Sequence, residues 1–235
     1  MDCMQALKDI PDKYFELAIV DPPYGGGGDE QWENKATGRF GNKDGRFERY
    51  LYDKVKIDGT IGHGKAKRPR WVGDGGKIDH RAWDFAPPKE YFDELFRVSQ
   101  NQIIWGGNYF DLPPTRCFVV WRKLTISESF SMAMCEYAWT SFNSNAKCFE
   151  CIPQGDKKDP RFHPTQKPVQ LYEWLLHHYA KKGDKILDTH AGSASSLVAC
   201  QRSGHEYMGF EIDKRYCDKA NKRLDEVRKQ VSMWE

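Results

Sequence analysis

The stretch KILDTHAGSASSLVAC, residues 185–200, decides the fold class of this chain. Residues 185–187 predict a short buried strand, and residues 188–196 predict a turn of small side chains. The apolar positions after residue 196 then indicate a helix. A strand, a tight loop and a helix in this order are the building block of a parallel α/β sheet.

The same alternation continues on both sides of this stretch. A strand at 207–210 and a charged amphipathic helix at 214–229 follow it, and a helix that begins at Pro168 and ends at Gly183 precedes it. Earlier apolar runs predict the helix 91–98 and the strands 17–20, 102–105, 117–121 and 137–142. The chain is therefore predicted to be an α/β protein with a doubly wound, mostly parallel, Rossmann-like sheet.

Three acidic residues directly follow predicted strands. Asp21 ends the strand 17–20 and precedes two prolines, which cannot donate a hydrogen bond to a sheet. Asp188 and Glu211 end two later strands. Because ligands of open parallel sheets bind at the carboxyl ends of the strands, these side chains are predicted to face one cleft.

The loop after Asp188 indicates a nucleoside-type cofactor. Gly192 and its small neighbours let a ligand approach the backbone closely, and Glu211, nineteen positions later, is suited to bind ribose hydroxyls. The loop contains a single glycine, so it lacks the glycine pattern that binds the pyrophosphate of a dinucleotide.

Three motifs together resemble a known protein family. DPPY at 21–24, HPTQKP at 163–168 and the loop 188–196 resemble, in content and in order, the SAM-dependent DNA amino-methyltransferases of bacteria and phages. The catalytic motif before the SAM motif is the β-type order of that family. The resemblance covers about residues 2–24 and 91–224, and it implies the SAM-dependent methyltransferase fold, SAM as cofactor and DNA as partner.

The resemblance implies that Asp21, Pro22, Pro23 and Tyr24 are catalytic. An exocyclic base amine is a poor nucleophile because its lone pair is delocalised into the ring. The Asp21 carboxylate and the Pro22 carbonyl can each accept one amine hydrogen, which directs the lone pair at the methyl group. Tyr24 would stack on a base that has left the duplex. The implied cofactor-binding residues are Asp2, Thr165, Gln166, Lys167, Asp188, His190, Gly192, Ser193, Glu211 and Asp213.

The acceptor base and the activity have alternatives. The resemblance implies that Asp, as opposed to Ser, at the first position of the catalytic motif favours the 6-amino group of adenine. The 4-amino group of cytosine is the alternative within the same class, since both reactions use the same geometry. A catalytically silent DNA-binding protein on the same fold is the alternative from another class, although the complete motif 21–24 disfavours it.

The resemblance does not extend to any motif that we recognise in residues 26–88, which are expected to form an inserted target-recognition region and to divide the catalytic domain into 1–25 and 89–235. Residues 35–81 carry thirteen Lys or Arg against six Asp or Glu, a net charge of +7, whereas the whole chain carries +2. This basic, glycine-rich composition is typical of a polyanion-binding surface, although a solvated loop can share it. The predicted DNA contacts are Arg39, Lys43, Arg46, Arg49, Lys65, Lys67, Arg68 and Arg70.

Two departures from the family pattern concern the cofactor. Ala194 stands where the family loop usually has a second glycine, which is expected to tighten the space beside SAM. Residues 1–3 resemble an element whose acid contacts the SAM adenine, but the strand that precedes this element in the family is missing from the sequence. Both departures predict weaker SAM binding than in a complete relative, which calorimetry would measure.

The cysteines and the hydropathy pattern predict the compartment. The seven cysteines are odd in number and scattered, and no secretory leader or long apolar segment accompanies them. We therefore expect a protein of the reducing cytoplasm in a bacterial or phage-infected cell, without membrane contact. Cys148 and Cys151 have metal-like spacing, but no second pair lies nearby, so we expect no metal. A homodimer and a restriction enzyme partner stay open.

Overall fold

The structure is a computed structural model that describes residues 2–25, 85–128, 132–153 and 161–231. The described helices and strands belong to one compact unit, which consists of Met1–Tyr24 and Pro87–Glu235. Residues 26–84 of the predicted insertion lie outside the described residues, so the predicted target-recognition region stays a prediction.

Helices and strands alternate along most of the described chain, as the apolar pattern predicted. The helices are α1 (Cys3–Leu7), α2 (Lys89–Val98), α3 (Val169–Tyr179), α4 (Ser195–Ser203) and α5 (Lys214–Val231). The strands are β1 (Phe15–Val20), β2 (Ser99–Trp105), β3 (Phe118–Lys123), β4 (Cys135–Thr140), β5 (Lys147–Cys151), β6 (Lys185–Asp188) and β7 (Glu206–Gly209). A short 3-10 turn, Gly107–Tyr109, follows β2.

The described strands form one seven-stranded sheet in the order β5-β3-β4-β2-β1-β6-β7. Strand β4 runs antiparallel to its neighbours β2 and β3, and the other pairs of neighbouring strands are parallel. The register pairs Val20 with Ile104 and Ala18 with Leu187, so β1, β2 and β6 end at the same edge. Because β4 has the opposite direction, its first residues lie at this edge too. The prediction of a mostly parallel sheet is confirmed.

Both faces of the sheet are covered by helices. Leu17 and Ile19 of β1 belong to a core that includes residues of α3, α4 and α5, whereas Ala18 and Val20 belong to a second core with α1 and α2. Successive side chains of a strand point to opposite faces, so burial on both faces explains why β1 is an uninterrupted apolar run. The doubly wound Rossmann-like arrangement is therefore confirmed.

Several features differ from the sequence prediction, among them helix α1, which was not predicted. Strand β2 begins at Ser99, three residues earlier than predicted, because residues 99–102 pair with β1 although they are polar. Helix α3 ends at Tyr179, and Gly183 lies in the following turn with a φ of 90°. Strand β5 was not predicted, because this edge strand contains charged residues and only Cys151 is buried.

Cys148 and Cys151 lie on opposite sides of the edge strand β5. Cys148 is exposed and Cys151 is buried, which fits their three-residue separation on β5, since such positions face opposite sides of a strand. The described residues contain no group of His, Cys, Asp or Glu that could hold a metal ion. Among the described helices, none is both long enough and apolar enough to cross a membrane.

Candidate active site

The two motifs 21–24 and 163–168 meet at the carboxyl end of β1. Strand β1 ends at Val20, so the Asp21 side chain lies at the edge of the sheet. The Tyr24 hydroxyl donates a hydrogen bond to Asp21 Oδ1 at 2.7 Å, and Lys167 Nζ donates one to Asp21 Oδ2 at 2.5 Å. The Lys167 side chain is only 4% exposed. Both carboxylate oxygens of Asp21 are thus held by donors.

A second carboxylate joins this pair from β4. Glu136 Oε2 lies 3.1 Å from Lys167 Nζ, and Glu136 Oε1 lies 2.5 Å from Lys123 Nζ. Glu136 is the second residue of β4, whose antiparallel direction brings it to the edge where β1 ends. We call Asp21, Lys167, Glu136 and Lys123 the charge cluster. It contains two positive and two negative groups, and its formal charge is therefore balanced.

The charges of the cluster stabilise one another. Burial alone would raise the pKa of Glu136, but the ammonium groups of Lys167 and Lys123 lower it to about 2. Burial alone would lower the pKa of Lys167, but Asp21 and Glu136 hold it above its usual value. Lys167 and Glu136 are therefore both charged at neutral pH.

Tyr24 is surrounded by aromatic rings. Its ring stacks on Tyr109 with a centroid distance of 4.9 Å and an interplanar angle of 17°, and Phe110 contacts it edge-on at 6.2 Å. Burial and the charge of Asp21 raise the pKa of Tyr24, so its hydroxyl stays protonated and donates to Asp21. Tyr109 was not predicted as a site residue. It follows β2 in the 3-10 turn, and its approach to Tyr24 depends on the strand order of the sheet.

A cavity of about 270 Å³ opens beside Tyr24. This volume is close to the lower limit of small-molecule pockets, about 300 Å³. Glu136 of the charge cluster also contributes to its wall, so the cavity adjoins the residues that hold Asp21. The cavity is lined by Tyr24, Gly106, Asn108, Tyr109, Val120, Ala133, Cys135, Glu136 and Tyr137.

The loop after β6 lies next to the end of β7. The Gly192 amide donates a hydrogen bond to Glu211 Oε2 at 2.9 Å, and the Asp213 amide donates one to Glu211 Oε1 at 2.8 Å. Gly192 has a positive φ of 53°, and an added Cβ would lie 3.3 Å from the His163 ring. Three predicted elements therefore meet at this point: the loop through Gly192, the end of β7 through Glu211, and the HPTQKP element through His163.

Asp188 lies beneath this loop. Its carboxylate accepts hydrogen bonds from the His190 amide, at 3.0 Å, and from the Ser196 hydroxyl. Burial raises the pKa of Asp188 to about 7, and the charges of Asp21 and Glu211 add to the effect, although the two hydrogen bonds lower it. The pKa of Asp188 therefore responds to the other two carboxylates that follow strands, Asp21 and Glu211.

Two residues that support the loop were missed by the sequence interpretation. Tyr91 of α2 lies with its hydroxyl 2.6 Å from Thr189 Oγ1, which in turn lies 2.9 Å from His190 Nδ1. Burial lowers the pKa of His190 to about 4, so its imidazole is neutral at pH 7. Arg223 of α5 is buried and donates to the Ser193 carbonyl at 2.6 Å. Neither Tyr91 nor Arg223 belongs to a motif, so no sequence signal marked them.

Other predicted cofactor residues make local contacts in the structure. Thr165 Oγ1 lies 3.2 Å from His163 Nδ1, and Gln166 Oε1 accepts from the Phe162 amide at 3.1 Å. Asp2 caps α1 by accepting from the Met4 amide at 2.9 Å. Asp213 accepts from the Arg215 guanidinium at 2.6 Å. The cofactor contacts of all ten predicted residues stay predictions. The predicted DNA contacts Arg39, Lys43, Arg46, Arg49, Lys65, Lys67, Arg68 and Arg70 lie outside the described residues.

Ala194 occupies a backbone conformation that favours glycine. Ala194 is fully buried and directly precedes α4, and its backbone is in the left-handed region with a φ of 59°. This conformation costs an alanine about 1–2 kcal/mol. The departure from the family loop therefore affects the backbone itself, in addition to the space that a side chain occupies.

We expect Ala194→Gly to raise the free energy of unfolding by up to about 1 kcal/mol, because the relief of strain exceeds the added entropy of the unfolded chain. Urea unfolding would measure the change. Ala199→Gly is the matched control, since Ala199 is equally buried but lies inside α4, where glycine destabilises by about 1 kcal/mol. A loss of stability in Ala194→Gly would contradict the strain at this position.

The comparison with protein families identifies the family of this chain. Residues 64–222 match the N6/N4 methylase family model, which is described as DNA methylase. The chain belongs to this DNA methylase family. The match includes the HPTQKP element, β6 and β7. The resemblance that the motifs predicted is thereby confirmed.

This DNA methylase is similar to the type II methyltransferase M.HinfI of Haemophilus influenzae. The two are 23% identical over 97% of this chain, which spans 67% of M.HinfI. The structure of an M1.HpyAVI–SAM complex is 15% identical and matches with a TM-score of 0.50 over 95% of this chain and 96% of that one. The cytosine-N4-specific PvuII DNA methyltransferase is 10% identical and matches with a TM-score of 0.53 over 98% of this chain and 90% of that one. The two structural matches support the fold.

Proposed function

We propose that this DNA methylase transfers the methyl group of SAM to the exocyclic 6-amino group of adenine in DNA. The observation that carries the proposal is the setting of Asp21. Its carboxylate is fixed by Tyr24 and Lys167, it lies beside an aromatic cavity, and it shares a sheet edge with Gly192 and Glu211. An acceptor for the target amine and a loop for the cofactor therefore lie on neighbouring strands.

Asp21 can accept a hydrogen from the target amine in addition to its present bonds. An ionised carboxylate has about four acceptor sites, and the hydrogen bonds from Tyr24 and Lys167 occupy two of them. With the Pro22 carbonyl as the second acceptor, both amine hydrogens would be held, and the nitrogen lone pair would be directed away from them. The charged neighbours of Asp21 fix its orientation before the substrate arrives.

The residues around Gly192 suit the nucleoside part of SAM. The Gly192 amide donates to the Glu211 carboxylate at 2.9 Å, and a ribose hydroxyl could donate to the same carboxylate, since a carboxylate has about four acceptor sites. Gly192 has no Cβ, and its positive φ of 53° is a backbone conformation that other residues rarely adopt. When bound, SAM supplies an activated sulfonium methyl group, and the protein groups described here would orient it.

The cavity beside Tyr24 suits a base that has left the duplex. Aromatic rings can stack on any of the four bases, and Tyr24 and Tyr109 supply two such rings in the wall of the cavity. Tyr109 stacks on Tyr24 in the structure, so a base that uses the same face of Tyr24 must displace Tyr109. The basic residues of the segment 35–81 are the proposed contacts to DNA phosphates.

Methylation of the cytosine 4-amino group is the second candidate. The fold is shared with the cytosine-N4-specific PvuII enzyme, so it does not discriminate between the two bases. We favour adenine because of Asp, as opposed to Ser, at position 21, which the family resemblance links to adenine.

The product nucleoside tests the proposal. The protein would be incubated with unmethylated DNA and SAM that carries a deuterated methyl group, and the digested nucleosides would be identified by mass spectrometry. We expect deuterated N6-methyladenine, which excludes methylation carried over from the source of the DNA. Deuterated N4-methylcytosine would keep the mechanism and overturn the base. No labelled nucleoside, together with no SAM binding in calorimetry, would favour the silent DNA-binding protein.

A further inference from the structure

Lys167 contacts the catalytic motif through its buried ammonium group. Its Nζ lies 2.5 Å from Asp21 Oδ2, 3.1 Å from Glu136 Oε2 and 3.5 Å from the Tyr24 hydroxyl. The Trp105 ring centroid lies 5.3 Å from the same atom, at cation–π distance. None of these four groups belongs to the loop 188–196, whereas the family resemblance implied that Lys167 binds the cofactor.

An ammonium group at this depth requires compensation. A buried charge without a partner is strongly destabilising, and Lys167 has two carboxylates within ion-pair distance. Glu136 has a second partner of its own in Lys123, whose side chain is 6% exposed. When Lys167 pairs with Asp21, Glu136 therefore still has an ion pair with Lys123.

The donors on Asp21 restrict its side chain. Rotation about the bond to the carboxylate would break the hydrogen bond at Oδ1, the one at Oδ2, or both. Tyr24 reaches Oδ1 from the same short loop, whereas Lys167 reaches Oδ2 from 146 residues further along the chain. Lys167 therefore ties the end of β1 to the segment that begins α3.

We propose that Lys167 is a positioning residue, which fixes the orientation and the negative charge of Asp21 for methyl transfer, and that Glu136 holds Lys167 in place. This inference rests on the proposed function, because Asp21 is its acceptor for the target amine. Lys167 itself touches neither the amine nor the methyl group. Its loss should therefore reduce the turnover of bound substrate more than the binding of SAM.

The test compares two lysines of the charge cluster. Lys167→Met and Lys123→Met each remove one buried ammonium group that pairs with Glu136, and each leaves the cluster with one excess negative charge. They differ in that only Lys167 contacts Asp21. Lys123 is thus a matched control for the general effects of buried charge.

We expect Lys167→Met to lower kcat at saturating SAM about 10- to 150-fold, the range of one lost charge-assisted hydrogen bond. The dissociation constant of SAM, from calorimetry, should stay within about threefold of the wild-type value. The fold-decrease in kcat should be at least about ten times smaller in Lys123→Met than in Lys167→Met. Equal kcat losses in both variants, or weaker SAM binding with retained kcat, would overturn the positioning role. If Lys167→Met does not fold, Lys167→Gln, which retains a donor, takes its place.

A second readout separates this inference from the proposed function. If the wild-type protein methylates no DNA, the side-chain NMR signal of Lys167, assigned by its loss in the Lys167 variant, still reports the contact. Asp21→Asn should shift that signal more than the signal of Lys123. A Lys167 signal that does not respond to Asp21→Asn would refute the inference, whatever the activity.

Discussion

Replacement of Asp21 by Asn is expected to lower kcat of methyl transfer by about 10³-fold, within the range for the loss of a positioned electrostatic or acid–base group. Asn has the shape of Asp, and its oxygen can still accept from the Tyr24 hydroxyl. It lacks the negative charge that holds Lys167 and the amine hydrogen. The loss should therefore appear in the chemical step.

SAM affinity of Asp21→Asn should stay within about threefold of wild type, because Asp21 contacts Tyr24 and Lys167 and not the loop around Gly192. Single-turnover methylation and calorimetry would measure the two quantities separately. Asp12→Asn is the matched control, since the same change then falls in the segment that precedes β1, on an exposed carboxylate. Activity retained in Asp21→Asn would remove Asp21 from the mechanism.

Gly106→Ala is expected to lower kcat/KM about 100-fold, the order of effect that a misplaced catalytic group produces. Gly106 has a left-handed backbone with a φ of 67°, and an added Cβ would overlap the Tyr24 ring. The ring would have to shift, and with it the hydroxyl that donates to Asp21 and the stack on Tyr109. One methyl group would therefore disturb both the acceptor and the wall of the cavity.

Gly204→Ala separates this displacement from backbone strain. Gly204 has nearly the same φ, 70°, but an added Cβ there meets nothing within 4 Å. Gly204→Ala should lose about 1–2 kcal/mol of the free energy of unfolding through backbone strain, and Gly106→Ala at least as much, but only Gly106→Ala should lose activity beyond that of the unfolded fraction. Similar activity in the two variants would show that the position of Tyr24 is not critical.

The sequence predicts the elements that carry local signals. Proline residues after an apolar run place the end of β1 at Asp21, and a small-residue turn before an apolar helix places the loop around Gly192. Glu136 could not be found in this way. Its place at the site depends on the antiparallel direction of β4, which a short apolar run does not reveal.

The contacts of Lys167 show a second limit of sequence interpretation. The HPTQKP element was found, but a motif does not determine where the end of a long side chain lies. Tyr91 and Arg223 support the loop through contacts across 98 and 30 residues of sequence, so they become neighbours only in the folded chain. β5 was missed because an edge strand with charged residues lacks the apolar alternation of a central strand.

The burial of the charge cluster affects how methyl transfer responds to ionic strength. Dissolved ions screen buried charges weakly, so salt should scarcely alter the orientation of Asp21 or the turnover of bound substrate. Contacts between basic residues and DNA phosphates weaken steeply as salt rises, because binding releases counterions. Salt should therefore raise KM for DNA while kcat stays nearly constant. DNA binding would then depend on salt concentration, whereas the rate of methyl transfer to the bound base would not.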